Sequence, residues 1–155
     1  MEDKYFYQTE VEWTGERHGD LRAPVLPQLR VDAPPEFKGH DGVWTPEHLF
    51  VASVNSCFMT TFLAIAENSK LDFISFKAGA TGKLEKLERG FAMTEITLHP
   101  KLVIKRASDF ERANRILEKA EKHCLISNSI KSATKLEPEI SLGLLTVDND
   151  PVFAV

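Results

Sequence analysis

An alternation of apolar and polar residues near the start of the chain predicts a β-strand over residues 5–13. Apolar side chains share one face of this strand and glutamates share the other: Tyr7, Val11 and Trp13 against Glu10 and Glu12. A segment with two glycines follows and favours a hairpin loop. Residues 21–31 then return as a second strand, which Pro24 and Pro27 either confine to a sheet edge or break. We therefore predict an N-terminal hairpin over residues 5–31.

A long helix is predicted after the loop 32–45, which is rich in Pro, Gly and Asp. Thr45 is a suitable N-cap, Pro46 suits the first helical position, and Glu47 suits the positive end of the helix dipole. The periodic pattern continues to about residue 69, so the predicted helix covers about 46–69.

The middle of this helix, residues 49–66, carries no charged side chain, and its 18 residues reach the length of a membrane span. Polar residues interrupt the stretch at Ser53, Asn55, Ser56, Thr60 and Thr61. We therefore expect no membrane span. We expect a helix that is buried on most sides, at the centre of a domain or of a dimer.

The second half of the chain begins with a predicted hairpin over 72–105, built from strands 72–86 and 91–105. The apolar alternation of the second strand slips around residues 96–98. Pro100 predicts a bulge or an edge position, because proline has no N–H to donate to a neighbouring strand.

A second helix is predicted over about 108–124, where Ser108 and Glu111 match an S-x-x-E capping box. Its apolar stripe recurs at intervals of three and four residues: Phe110, Ala113, Leu117, Ala120 and Cys124. A final strand over about 137–147 completes the pattern. We expect the tail, 148–155, to lie on the surface, to fray, or to dock through its apolar residues.

This order of elements predicts an α+β fold with antiparallel pairing, in a single domain over residues 1–155. The net charge of −4 and the isoelectric point of about 5.7 disfavour nucleic acid or an anionic membrane as a partner. The acidic N-terminus has no apolar segment of the kind that signal peptides carry, so we expect a cytoplasmic protein.

The chain has only two cysteines, Cys57 and Cys124, and its five histidines are scattered. This spacing predicts neither a disulfide framework nor a metal site, and we expect no bound cofactor. Cytosolic cysteines are usually kept reduced, which permits a transient catalytic disulfide. Both cysteines fall on helix faces that should be buried, so packing of the two helices would bring the sulfurs close. The alternative is that each cysteine is a small core residue.

A reactive Cys57 needs a stabilised thiolate, and a cysteine in the middle of a helix gains little from the helix N-terminus. Arg17, in the first hairpin loop, is a candidate cation, although loop arginines are usually only solvated. Glu47 is a candidate for orienting that arginine, although the helix dipole alone explains an acid there. Along one straight helix, Glu47 lies about 15 Å from Cys57. Either Arg17 bridges this gap, or the helix is broken, or Glu47 comes from a second subunit.

Two segments around the first cysteine resemble the P-E-x-L-x…C-F signature of the OsmC/Ohr family of peroxide-handling proteins: PEHLF at 46–50 and SVNSCF at 53–58. Residues 120–128 resemble the family's second-cysteine motif, commonly C-P-[IY]-S, and residues 15–19 resemble its early G-x-R-x-G loop. The order and spacing of these segments agree with the family over nearly the whole chain. Leu125 departs from the usual proline, and residues 53–66 are more similar to the broader OsmC-like members than to the organic hydroperoxide resistance branch.

The resemblance implies an OsmC-like fold, in which antiparallel sheets surround a long central helix, in an intertwined homodimer with active sites at the subunit interface. It implies that Cys57 is the peroxidatic cysteine and Cys124 the resolving cysteine. It also implies that Arg17 activates the thiolate and that Glu47 orients Arg17. Leu125 is expected to alter how the end of the second helix presents Cys124.

The resemblance further implies a thiol-dependent peroxidase that reduces organic hydroperoxides, with hydrogen peroxide as a second candidate substrate. An external dithiol, of the lipoyl type or another, would regenerate the enzyme. The alternative is a non-catalytic OsmC-like dimer that binds a small apolar ligand in the interface cleft. Under that alternative, replacing Cys57 or Cys124 by serine leaves ligand binding intact.

Overall fold

The computed structural model describes residues 3–143. The chain divides between Phe50 and Val51, so its described part consists of two units, 3–50 and 51–143. The elements follow the predicted order, and their mixture of sheets and helices confirms the α+β class. The organisation of residues 1–155 as one domain stays a prediction. The tail and the end of the predicted final strand lie outside the described residues.

The first unit contains a three-stranded antiparallel sheet. Strand β1 (Glu10–Gly15) pairs with β2 (His18–Arg22), and β2 pairs with β3 (Leu29–Asp32). The turn between β1 and β2 is tight, and Gly15 and Glu16 both adopt positive φ angles there, 139° and 45°. The glycine-containing turn was predicted correctly, because a φ of 139° at Gly15 is adopted without strain only by a residue that lacks Cβ.

The predicted boundaries in this unit were wrong in two places. The strand predicted over 5–13 begins only at Glu10, and the return strand predicted over 21–31 is two strands separated by residues 23–28. Pro24 and Pro27 lie in that separating segment, and neither has an N–H for a sheet ladder. Of the two alternatives predicted for residues 21–31, an edge strand or a broken strand, the structure therefore shows the broken strand.

The apolar face predicted for the first strand is exposed on the single chain. Tyr7, Val11 and Trp13 are 92%, 63% and 74% exposed, and Tyr5 and Phe6 before them are also exposed. Large apolar side chains gathered this densely on a surface are typical of interaction sites.

Helix α1 (Pro46–Asn68) confirms the predicted central helix and runs without a break. The Thr45 hydroxyl accepts the His48 N–H at 3.2 Å, as an N-cap does. At the other end, Lys70 adopts a left-handed conformation with φ 52°, and the Leu71 N–H returns to the Ala66 carbonyl at 2.9 Å. The Arg112 guanidinium donates to the carbonyl oxygens of the two residues that follow α1, Ser69 and Lys70, at 3.2 and 3.1 Å.

Only one face of α1 is buried within the chain. Its fully buried residues recur at intervals of four: Val54, Phe58, Phe62 and Ala66. Met59 and Leu63 are 39% and 40% exposed, so the expectation of burial on most sides is wrong for a single chain. By length and composition alone, α1 also meets the criterion for a membrane span, which core helices of soluble proteins meet as well.

The predicted long hairpin is present as β4 (Phe73–Leu87) and β5 (Gly90–Ile104), joined by a two-residue turn. The predicted slip around residues 96–98 is wrong, because every second side chain of β5 is buried from Ile96 to Ile104. The irregularity lies earlier, where β5 carries one extra residue, Thr94, opposite the step between Lys83 and Leu84. This bulge sets the phase of the regular alternation that follows.

The single final strand predicted over about 137–147 is also wrong. Two short strands, β6 (Ala133–Leu136) and β7 (Glu139–Leu142), pair with β5, and both run parallel to it. The predicted antiparallel pairing is therefore wrong for β6 and β7. Pro138 separates the two strands, and Pro100 of β5 lies opposite the gap between them, where no N–H is required.

Helix α2 (Phe110–Lys122) follows a short 3-10 turn (Ala107–Asp109). The predicted capping box of Ser108 and Glu111 does not form. The N-cap residue is Asp109, and its carboxylate pairs with the guanidinium groups of Arg106 and Arg112 at 3.1 and 3.5 Å. Phe110 is 52% exposed, so it does not belong to the buried stripe. The stripe is formed by Ala113, Ile116, Leu117 and Ala120.

Aromatic packing in the second unit fixes the rotation of α1. The Phe62 ring stacks on that of Phe76, with centroids 4.5 Å apart and planes 14° apart, and it meets Phe73 at 5.5 Å. Phe58 packs against Phe76 at 6.1 Å. Because Phe58 directly follows Cys57, this packing also determines the direction in which the Cys57 side chain leaves the helix.

We expect Phe62→Ala to lower the free energy of unfolding by about 3–5 kcal/mol, because it removes a fully buried ring and leaves a cavity between α1 and β4. Urea denaturation followed by circular dichroism measures this change. The matched control, Glu67→Ala at an exposed position of the same helix, should stay within about 0.5 kcal/mol of the native protein. A loss below about 1 kcal/mol in Phe62→Ala would contradict this core.

Candidate functional site

Cys57 lies near the middle of α1, on the border between its buried face and its exposed face. The side chain is half-buried, while Val54 and Phe58 on either side are fully buried. The residue is therefore neither enclosed in the core nor fully exposed. That is the exposure expected of a thiol that reacts with a diffusing substrate.

Cys124 lies just beyond the end of α2, where the His123 N–H completes the last helical turn by bonding to the Lys119 carbonyl at 3.0 Å. Its side chain is fully buried, and its thiol contacts the Val54 carbonyl of α1 at 3.8 Å. The predicted placement of Cys124 inside the second helix is therefore wrong by two residues, because the last helical residue is Lys122. The predicted burial is confirmed.

The Cys124 thiol lies against α1 about one turn before Cys57, where it donates to the Val54 carbonyl at 3.8 Å. Neither cysteine is in a disulfide, and each thiol influences the pKa of the other.

The surroundings of Cys57 favour its ionised form. Burial opposes ionisation, but four hydrogen bonds outweigh it and lower the pKa of the Cys57 thiol below its ordinary value. The donors are the Ile126 N–H, the Cys124 thiol, the Thr61 hydroxyl and the Leu125 N–H.

Cys124 has the opposite tendency. Burial raises the pKa of the Cys124 thiol, its hydrogen bond to Cys57 raises it further, and hydrogen bonds from Ser127 only partly compensate. The thiolate therefore forms at Cys57 first, with Cys124 as a neutral donor beside it. This asymmetry separates a nucleophile from a partner thiol.

The turn after Cys124 is held in a fixed shape. The Cys124 carbonyl accepts the Asn128 N–H and the Ser127 hydroxyl, both at 3.1 Å. The Leu125 carbonyl accepts the Ser129 hydroxyl at 2.8 Å, and the Ile126 carbonyl accepts the Ser129 N–H at 2.9 Å. All three of these carbonyls are therefore bound to residues later in the turn.

Arg17 and Glu47, the predicted activating pair, belong to the first unit, and the single chain does not join them. Arg17 lies in the turn between β1 and β2, where its carbonyl accepts the Ala33 N–H at 3.3 Å. Among the described residues, no hydrogen bond or ion pair engages its guanidinium. Glu47 has a buried Oε2 that is left without a hydrogen-bond partner in the described part of the chain. The unbroken α1 removes the alternative in which a helix break brings Glu47 to Cys57.

The two histidines nearest the start of α1 have structural partners. His48 completes the cap of α1 through Thr45, at 2.8 Å from its hydroxyl. His40 lies between Asp32 and Glu16, at 2.8 and 3.2 Å from their carboxylate oxygens. The hydrogen bond that the His40 ring donates to the Asp32 carboxylate raises the pKa of His40, and the ion pair with Glu16 ties the segment before α1 to the turn that carries Arg17. Over residues 3–143, no three His, Cys, Asp or Glu side chains are placed to share a metal ion.

The sequence reasoning missed Thr61 and the two backbone donors. Thr61 could have been found, since a residue four positions after Cys57 lies on the same helix face. The N–H groups of Leu125 and Ile126 carry no side-chain signal, because any residue other than proline supplies one. Only the folded turn reveals their direction.

The OsmC-like protein family matches residues 39–139, which is well over half of the chain. The chain belongs to the OsmC-like protein family. Its match includes both cysteines and the whole of α1 and α2.

Relatives of this OsmC-like chain match it over most of its length. The uncharacterized protein YmaD of Bacillus subtilis is 26% identical over 149 residues, which cover 93% of this chain and 98% of YmaD. Among solved structures, an OsmC-like protein of unknown function from Vibrio cholerae superposes with a TM-score of 0.79 at 22% identity, over 87% of this chain and 99% of its own.

A further similar structure is an organic hydroperoxide resistance protein OsmC from Legionella pneumophila. Its TM-score is 0.73 at 23% identity, with coverage of 90% of this chain and 99% of its own. At these identities the structural likenesses establish the fold, and they confirm the OsmC-like architecture that the motifs predicted.

We expect Thr61→Val to slow alkylation of Cys57 by iodoacetamide at pH 7 by about three- to tenfold, because a hydrogen bond to the charged thiolate is lost. Losing that donor raises the pKa of Cys57, so the midpoint of the pH–rate profile moves to higher pH. Peptide mass spectrometry distinguishes Cys57 from Cys124. Thr61→Ser, which keeps a hydroxyl, should retain the native midpoint, and identical profiles for both variants would contradict the contact.

Proposed function

We propose that this OsmC-like protein is a thiol-dependent peroxidase that reduces organic hydroperoxides, with hydrogen peroxide as a second candidate substrate. The observation that carries the proposal is the placement of a partly exposed Cys57, whose pKa is lowered, near a buried Cys124, whose thiol contacts α1 at Val54 and whose pKa is raised. A core role alone would require neither this asymmetry nor the placement of Cys124 against α1 near Cys57.

The chemistry runs in three balanced steps. The Cys57 thiolate attacks one oxygen of the O–O bond, which breaks to release an alkoxide that is protonated to the alcohol, and Cys57 becomes a sulfenic acid. The Cys124 thiol then attacks the Cys57 sulfur, forming a disulfide and releasing water. An external dithiol reduces this disulfide by two exchange steps, leaving both protein thiols reduced and the dithiol oxidised to its own disulfide.

Arg17 and Glu47 complete the proposed site. We assign Arg17 to stabilise the thiolate and the developing oxyanion, and Glu47 to orient Arg17 by a bidentate ion pair. A buried carboxylate oxygen without a partner is costly. The unpaired Oε2 of Glu47 on the single chain therefore favours a partner supplied by a second subunit.

A homodimer also accounts for the apolar surfaces of the single chain. The outer face of α1 carries Met59 and Leu63, and the N-terminal segment exposes several aromatic rings. Pairing of two subunits through such surfaces would leave an apolar cleft beside Cys57, which suits hydroperoxides with apolar tails. A cytoplasmic location with a lipoyl-type or other dithiol as reductant is consistent with this chemistry.

The name of the similar Legionella protein, an organic hydroperoxide resistance protein, supports the proposed substrate class. The motif around Cys57 is nearer to the broader OsmC-like members, and we therefore propose the class of organic hydroperoxides without a single preferred compound.

The proposal is tested by consumption of tert-butyl hydroperoxide and hydrogen peroxide in the presence of a dithiol. We expect Cys57→Ser to abolish turnover, because serine supplies no thiolate. We expect Cys124→Ser to lower dithiol-dependent turnover at least about tenfold, because reduction of the Cys57 sulfenic acid then depends on attack by an external thiol. Glu67→Ala, at an exposed position near the end of α1, serves as the control with native turnover.

Native protein that consumes no more hydroperoxide than Cys57→Ser would overturn the proposal. If both serine variants then still bound an apolar dye with native affinity, the non-catalytic ligand-binding alternative would take its place.

The dimer is tested by sedimentation velocity. We expect a dimer at micromolar concentration, because the exposed apolar faces and the unpaired Glu47 oxygen both need a partner surface. Leu63→Glu, which places a charge on the outer face of α1, should shift the population towards monomer. A native protein that sediments as a folded monomer would contradict the assignment.

A further inference from the structure

The turn that carries Arg17 is joined to the segment before α1 through His40, and all the residues of this contact belong to the first unit. The His40 ring lies between two carboxylates: its Nδ1 is 2.8 Å from the Asp32 Oδ2, and its Nε2 is 3.2 Å from the Glu16 Oε2. Glu16 directly precedes Arg17 in the tight turn between β1 and β2. A change at His40 therefore reaches Arg17 through a single neighbouring residue.

The two carboxylates specify the protonation state of the ring. An ionised carboxylate only accepts hydrogen bonds, and a neutral imidazole has a single N–H, whereas an imidazolium has two. His40 can therefore donate to Asp32 and Glu16 together only when it is protonated on both nitrogens. After loss of one proton, the remaining N–H stays with Asp32, whose side chain is only 1% exposed. The Nε2 lone pair then faces Glu16, whose side chain is 68% exposed and can turn to water.

We propose that the Asp32–His40–Glu16 contact is a latch, closed while His40 is protonated, and that His40 is thereby a positioning residue for Arg17. The proposal rests on the proposed function, in which Arg17 stabilises the Cys57 thiolate. It adds a regulation of that same site. The closed latch holds the Arg17 turn in one conformation, and the open latch releases it.

The Asp32 end of the latch is fixed by the fold. The Asp32 carboxylate accepts the Ala33 N–H at 2.8 Å and the His40 N–H at 3.2 Å, in addition to the ring. Gly39 lets the chain pass so close to Ala33 that a Cβ at residue 39 would lie 1.5 Å from the Ala33 carbonyl oxygen. Because the backbone and the ring of His40 are both bound to one buried carboxylate, the direction of the ring is set.

The Glu16 end of the latch lies at a strained point of the chain. Glu16 adopts a φ of 45°, in the left-handed region that a residue with a side chain seldom occupies, and such a conformation persists where the surroundings hold it. The Trp13 indole N–H donates to the Glu16 carbonyl at 3.1 Å, and the Ala33 N–H donates to the Arg17 carbonyl at 3.3 Å. The ion pair with His40 holds the Glu16 side chain, and it depends on a proton.

The charges around His40 determine how the latch responds to pH. The hydrogen bond to Asp32 and the charges of Asp32 and Glu16 raise the pKa of His40, and they outweigh the opposing charge of Arg30. His18 also faces the ring, with 6.1 Å between the ring centroids. Because the pKa of His40 is raised, the latch stays closed below that pKa and opens as the pH rises through it.

Nuclear magnetic resonance tests the latch without peroxide, in Cys57→Ser protein, so that the Cys57 thiolate does not titrate. We expect the backbone amide resonance of Arg17 to shift with pH at the midpoint of the His40 ring. Glu16→Gln should abolish this shift, because an amide side chain can accept from the imidazolium and donate to the neutral ring. Titration of His18 continues in both proteins, so it cannot produce a difference between them.

The consequence for Cys57 is measured as the rate of its oxidation by tert-butyl hydroperoxide in a single turnover, across the pH midpoint of His40. We expect the rate constant per thiolate to fall above that midpoint in native protein, and we expect Glu16→Gln to abolish the fall. Glu16→Ala leaves the latch open at every pH. It should react about two- to fivefold more slowly than native protein below the midpoint, the range for loss of an exposed ion pair. The matched control, Glu36→Gln, removes the same charge from another exposed position of the first unit and should keep the native profile.

The two experiments separate the latch from the proposed function. An Arg17 resonance that does not follow His40, or that follows it equally in Glu16→Gln, would overturn the latch whatever the protein does with peroxide. If Arg17 follows His40 but Cys57 reacts at the same rate per thiolate on both sides of the midpoint, the positioning role is overturned. If Arg17 follows His40 and native protein consumes no peroxide, only the proposed function is refuted.

Discussion

The contact of the Cys124 thiol with the Val54 carbonyl of α1, about one turn before Cys57, is the interaction on which the candidate site depends. It joins the middle of α1 to the segment that follows α2, and it is held by packing on both sides. The buried face of α1, with Phe58 and Phe62 against Phe76, fixes where Cys57 points. Arg112 ties α2 to the residues that follow α1. A change in the rotation of either helix would separate the sulfurs.

The same packing explains why two chemically identical thiols behave differently. Cys124 is surrounded by the core and bonded to groups that leave it neutral, whereas Cys57 is half-exposed and receives four hydrogen bonds. The donors come from α1 itself, through Thr61, and from the turn after Cys124. Groups of the second unit account for the lowered pKa of Cys57 without a side-chain cation. The proposed action of Arg17 would lower that pKa further.

The sequence predicted what depends on regular patterns. The α1 boundaries, the Thr45 cap and the long hairpin followed from periodicity and capping chemistry, and the ordered motifs predicted the family. The failures arose where tertiary pairing decides. A sequence pattern does not distinguish parallel from antiparallel pairing for short strands such as β6 and β7, and Asp109 displaced the expected Ser108 cap by binding two arginines. At the site, both cysteines were found from the sequence, but backbone donors have no sequence signature.

The central claim is that the two neighbouring thiols form a redox pair. Mass spectrometry of the reduced protein after one equivalent of tert-butyl hydroperoxide tests it most directly. The account predicts the loss of two hydrogens, mapped to a Cys57–Cys124 disulfide and restored by a dithiol. Protein that remains fully reduced, or that accumulates oxygen on Cys57 without forming this bond, would contradict it.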